Sequence, residues 1–87
     1  MLRGVMNKQK LLRKILTGSK NVQFSDMTSL VEAFGFRLSR VNGSHFIFAH
    51  PAIPELVNLQ EYKGKAKPYQ VRQFLQLVEE YDLELGD

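Results

Sequence analysis

The chain has 87 residues, 44% of them hydrophobic and 24% charged, which is the size and mix of one small globular domain. It contains no cysteine, which excludes disulfide scaffolds, thiolate metal sites, cysteine nucleophiles and thiol redox switches. The formal net charge of +3 conceals an asymmetry: residues 1–78 hold twelve basic and four acidic side chains, a net +8, and residues 79–87 hold five acids and no base, a net −5. A basic body with an acidic tail fits a polyanionic partner, nucleic acid first; the alternative is a basic surface that is merely solvated. No run nears the roughly 18 consecutive apolar residues of a membrane span. No apolar segment with a cleavage site follows the basic start. No membrane partner is therefore expected, and the cytoplasm is the default compartment.

Met1 and Met6 are both candidate starts, and residues 1–6 read as a flexible leader. From Asn7 on, Leu11, Leu12, Ile15 and Leu16 recur at helical spacing, with Lys8, Lys10, Arg13 and Lys14 around them. This predicts a helix over 7–17, stopped by Gly18 as a C′ glycine. Asn21 to Phe24 read as a connection. Ser25 or Asp26 suits the N-cap of a second helix with Met27, Leu30, Val31 and Phe34 on one stripe, ended by Gly35. The period then changes to two, and Phe36, Arg37, Leu38 and Ser39 read as a strand. Asn42-Gly43 predicts a type I′ hairpin turn, which needs positive φ at both central residues. The return strand runs from Ser44 to His50 and is stopped by Pro51. This turn sets Arg40 opposite His45. After a loop with Pro54, Glu55 to Gln60 read as a third strand. Lys63 to Lys67 read as a basic glycine loop. Pro68 suits the first turn of a last helix, with Val71, Phe74, Leu75 and Val78 on its apolar stripe and fraying expected from Asp82.

The order is α-α-β-β-β-α. Helices on one side of a three-stranded meander make an α+β two-layer sandwich. The α-β-β-β-α core is the order of the double-stranded-RNA-binding fold, here with an extra N-terminal helix. The whole chain, 1–87, reads as a single domain with its core over 25–83.

Without cysteine, an enzyme here leans on histidine, carboxylates or lysine. His45 and His50 are the two histidines. An arginine facing a histidine favours the neutral imidazole by charge repulsion, and a neutral imidazole is what a general base needs. The alternative is that His45 is a surface strand residue with no duty. His50 reads as a polar residue closing its strand. Five residues apart on one strand, the two point to opposite faces, so they form no metal site. Ser44 and His45 point apart for the same reason, which defeats a Ser–His dyad. No phosphate loop of the P-loop spacing is present. Phe46, Phe48, Tyr62 and Tyr69 are candidates for base stacking, against the reading that they belong to the core.

Gly35-Phe36, Arg40, Gly43-Ser44-His45-Phe46-Ile47-Phe48 and His50-Pro51 together resemble the HicA family of toxins. So do Asn58-Leu59-Gln60, Lys65-Ala66-Lys67-Pro68-Tyr69-Gln70-Val71 and the closing helix. The resemblance covers residues 25–83. It implies a small ribonuclease that cleaves mRNA, stops translation and is held silent by a HicB-type antitoxin in a hetero-oligomer. It implies the double-stranded-RNA-binding-like fold, puts the catalytic histidine on His45, and implies no metal ion and no organic cofactor. The expected mechanism is metal-independent transesterification with His45 as general base and Arg40 or a lysine of the 63–67 loop stabilising phosphoryl charge. Arg40, Ser44, Lys63, Lys65 and Lys67 are the expected RNA-binding residues.

Two departures from the family stand out. Phe46 follows His45 where many members carry a second histidine, which weakens a two-histidine scheme. Many members also lack the helix over 7–17, which here can widen the RNA footprint, cover a sheet edge or bind antitoxin. The rival readings are a non-catalytic double-stranded-RNA-binding module and an interaction domain for an acidic protein.

Overall fold

Asn7 starts the first helix by geometry as well as by sequence. Its Oδ1 accepts a hydrogen bond from the Lys10 N–H at 2.8 Å, the N-cap arrangement that satisfies a free helix donor. The structure, a computed structural model, describes residues 7–18 and 20–86. The leader expected over residues 1–6 lies outside them. The elements are α1 (Lys8–Thr17), α2 (Phe24–Ala33), β1 (Arg37–Asn42), β2 (His45–His50), β3 (Ile53–Tyr62), β4 (Lys65–Ala66) and α3 (Pro68–Glu80). The strands form one antiparallel sheet in the order β1-β2-β3-β4. Helices cover one face of it, giving the α+β two-layer sandwich that the element order implies.

The core lies between the layers. Met27, Leu30 and Val31 of α2 are fully buried, as are Val71 of α3 and Leu59 of β3. Each such side chain contributes about 1.5–3 kcal/mol relative to an exposed one. Phe34, Phe36 and Phe74 close the far end, with ring centroids 5.6–5.7 Å apart across edge-to-face contacts. α1 joins through Leu11 and Ile15 and through the Lys14–Asp26 ion pair at 2.9 Å. It packs on α2, in the helical layer.

Several local expectations change. Gly18 caps α1 at φ −135°, so it is not a left-handed C′ glycine; its N–H bonds the Lys14 carbonyl directly. Leu16 is exposed, because the buried stripe of α1 is only as wide as α2 requires. α2 begins at Phe24, ahead of Ser25 and Asp26, and has no side-chain cap. Tertiary contacts set its start: Phe24 N–H donates to the Gly64 carbonyl, and Gln23 bridges Lys65. The first hairpin turns on Gly43-Ser44, one residue later than Asn42-Gly43 predicts. Gly43 has φ +64° while Ser44 is not in the positive region, which is the II′ pattern. The doubly positive turn lies elsewhere, at Lys63 (φ 51°) and Gly64 (φ 78°). It folds the basic loop into a third hairpin, after those at Gly43-Ser44 and Pro51-Ala52, with β4 as its return strand in place of the expected loop.

The tail also differs. Residues 83–86 do not fray: Leu83 N–H bonds the Val78 carbonyl, Gly86 N–H bonds the Ala33 carbonyl, and Leu83 and Leu85 pack on the core. Two alternating leucines give this segment an apolar side that the end of α2 receives.

Candidate nucleic-acid interface

Strand alternation sends Phe46 and Phe48 to one face of β2 and His45 and Ile47 to the other. Phe48 is 1% exposed and the Phe46 ring packs on Phe24 at 4.9 Å, so the phenylalanines face the helices. They are core, not stacking platforms. His45 stands on the outer face of the sheet. Asn42 is its register partner on β1 and Gln60 its partner on β3. Arg40 faces Ile47, because the turn is displaced by one residue. The expected opposition of Arg40 and His45 is corrected to a diagonal across the same face.

The partner of His45 is Asn58. Its Nδ1 lies 3.2 Å from the Asn58 Oδ1. An amide oxygen only accepts, so Nδ1 is the donor of this contact, and in the neutral ring the lone pair then falls on Nε2. Among the described residues Nε2 has no hydrogen-bond partner. Asn58 is the site residue that sequence reading missed. It pairs with Ile47 and so lies diagonal to His45, but the loop before it shifts the β2–β3 register between Phe48 and His50 and hides that relation.

The three lysines expected at the interface gather around Tyr62. Lys65 pairs with Tyr62 across β3 and β4 and shares its face. Lys63 sits in the turn, with its Nζ 5.4 Å from the Tyr62 ring centroid. Lys67 is the N-cap residue of α3, with its Nζ 5.7 Å from the same centroid. Gln70 holds this corner together. It is buried, and its Oε1 accepts the Gln60 N–H at 2.8 Å, a donor that β4 is too short to meet. Ser44 is exposed in the first turn, where its carbonyl accepts the Glu61 N–H. The strand acids face the other way. Glu61 pairs with buried Ala66 and lines a groove under Phe46, and Glu55 accepts the Tyr81 hydroxyl. The outer face therefore presents Arg37, Arg40 and Lys65 with no acid from the strands.

His50 has a different duty. Its ring packs edge-on against Phe36 at 5.0 Å and its Nδ1 accepts the Ala52 N–H at 3.0 Å. It closes its strand from the helical side, apart from His45. Among the described residues no three His, Asp or Glu side chains cluster as metal ligands would.

The model of the family described as the HicA toxin of bacterial toxin–antitoxin systems matches residues 24–79. The chain belongs to the HicA toxin family. The match runs from the first residue of α2 almost to the end of α3, so the His45 face, the Tyr62 corner and Gln70 all lie within the HicA region. Membership makes the chain a toxin of a toxin–antitoxin system, with an antitoxin as its partner. Helix α1 lies outside the HicA match, on the helical layer. No curated protein and no solved structure shows significant similarity to the chain. Among the described residues, no helix is long and apolar enough to cross a membrane.

Proposed function

We propose that this HicA toxin is a cytoplasmic, metal-independent endoribonuclease that cleaves mRNA, with His45 as its general base, and that a HicB-type antitoxin silences it. The observation that supports the reading most is the Asn58 contact. With Asn58 Oδ1 accepting from Nδ1, the tautomer with its lone pair at Nε2 is favoured, and that nitrogen lies on an open face without strand acids.

The reaction balances without a cofactor. The ribose 2′-oxygen forms a bond to the adjacent phosphorus while its proton passes to His45 Nε2. The bond from phosphorus to the 5′-oxygen breaks, and that oxygen takes a proton from water. The products are a 2′,3′-cyclic phosphate and a 5′-hydroxyl, and the imidazolium returns its proton to solvent. Arg40, diagonal to His45, and the lysines at 63, 65 and 67 bind the phosphates on either side, with Ser44 at the mouth of the turn. General base catalysis typically contributes about 10²–10⁴-fold. With no second histidine on this face, turnover is slow. Antitoxin in a hetero-oligomer acts by covering the same face.

Labelled mRNA and growth arrest on expression test the reading together. His45→Ala should abolish both while the thermal transition stays in place, and cleavage by the unaltered chain should persist in excess EDTA. Retained cleavage by His45→Ala removes His45 from the chemistry. Loss in EDTA assigns it to a metal. Labelled RNA that shifts intact with the unaltered chain makes it the non-catalytic binding module.

A further inference from the structure

An aromatic ring on the outer face of a sheet has no core to fill. Tyr62 is 56% exposed, yet it is bracketed by two ammonium groups. One of them belongs to Lys63, held in the left-handed region at φ 51°, which is uncommon for a residue with a side chain. The doubly positive turn at Lys63-Gly64 swings that lysine back over the ring of its own neighbour. The other arrives from Lys67 at the start of α3, which the bond from Gln60 to Gln70 holds against the sheet.

The place of this corner matters. Gln60 faces His45 across β2 and β3, and Tyr62 is the next residue on the same face of β3. Two residues along one strand and one strand across separate His45 from Tyr62 by about 8 Å between Cα atoms. Tyr69 is also exposed, but its hydroxyl is engaged by Gln70 and it lies on the helix, beyond the strands. Phe46 and Phe48 face the helices. Tyr62 is thus the aromatic ring that joins exposure, the His45 face and two cations.

We infer that Tyr62, flanked by Lys63 and Lys67, is the platform on which a base of single-stranded RNA stacks, placing the neighbouring phosphodiester at His45. The inference rests on the ribonuclease reading and adds to it how substrate is held. An ammonium over an exposed ring is weakly held, whereas base–aromatic stacking is stronger and tolerates every base. An arriving base therefore takes the ring face, and the displaced ammonium groups turn to the phosphates on either side of that base. A base splayed onto a ring is unstacked from its neighbours, which frees its 2′-hydroxyl to align with its own phosphate. Unpaired RNA is required, since a duplex keeps its bases stacked.

Binding of a short unpaired oligoribonucleotide carrying 2-aminopurine tests this, in the His45→Ala chain so that nothing is cut. Tyr62→Ala should weaken binding by about 5- to 160-fold and abolish the quenching of 2-aminopurine. Tyr62→Phe and Tyr62→Trp should retain both. Heparin, a polyanion without bases, should bind the Tyr62→Ala chain as well as it binds the unsubstituted one. If the Tyr62-bearing chain does not bind RNA, the ribonuclease reading and the platform fall together. If it binds RNA and Tyr62→Ala changes nothing, or Tyr62→Phe loses as much as Tyr62→Ala, or heparin loses as much as RNA, the platform alone is overturned.

Discussion

Asn58 offers the sharpest check on how His45 is prepared for catalysis. Asn58→Ala removes the oxygen that receives the Nδ1 proton and leaves the imidazole free to change tautomer and to rotate. The bond is long, at 3.2 Å, neutral on both sides, and made at an exposed site. Such a bond contributes a net of about 0.5–1.5 kcal/mol. Converted to rate, that is a loss of about 2- to 13-fold. It is far smaller than the about 10²–10⁴-fold attached to a general base itself. The assay is single-turnover cleavage of an end-labelled oligoribonucleotide at saturating toxin. The cleavage rate should fall while the concentration giving half-saturation stays constant, because Asn58 binds the histidine and not the phosphate. Asn58→Asp keeps an acceptor oxygen and should recover most of the rate. A rate unchanged in Asn58→Ala would refute the argument.

Two further predictions concern the scaffold. Gly35 has φ +96°, and a Cβ there would stand 3.0 Å from His50 Nε2, so Gly35→Ala should cost about 1–3 kcal/mol. Thermal denaturation should show Tm lower by about 4–8 °C for each kcal/mol; an unchanged Tm would contradict the geometry. The Tyr81 hydroxyl is pushed up to about 12, first by its hydrogen bond to the Glu55 carboxylate, then by burial and by the charges of Glu55 and Glu80. A raised pKa means that the contact stabilises the fold below pH 10 and that this contribution is lost as pH rises from about 10 through about 12. Tyr81→Phe should therefore flatten the fall of Tm across that window, and parallel slopes in the two chains would show that the contact carries no stability.

Helix α2 was legible because its period is complete: Met27, Leu30, Val31 and Phe34 are all buried, and no competing pattern crosses them. His45 was legible as a residue of the return strand. What escaped was whatever depends on a register shift of one residue or on contacts distant in sequence. Asn42-Gly43 carries a strong turn signal, yet the turn uses Gly43 as its first central residue, and that moves Arg40 from His45 to Ile47. Lys63-Gly64 adopts the doubly left-handed geometry although lysine is not a residue that announces it. The start of α2 escaped because a bond to Gly64, far along the chain, outweighs the capping preference of Ser25 and Asp26. Asn58 escaped because a partner lying diagonally across two strands is defined only once the register shift near His50 is known.

The anchored tail has an electrical consequence. Glu79, Glu80, Asp82 and Glu84 are held at the far end of α3, on the helical layer, by the bonds that tie Leu83 to Val78 and Gly86 to Ala33. Lys67 stands at the opposite end of the same 13-residue helix, about 20 Å away. Helix α3 with its anchored tail is thus a fixed dipole, positive at the Tyr62 corner and negative at the far end. A polyanion drifting within a Debye length, about 8 Å at physiological salt, exerts a torque on it before any contact forms. That torque turns the Tyr62 corner forward and the far end of α3 back. A loose tail would have screened the lysines by folding over them; a fastened one aims them.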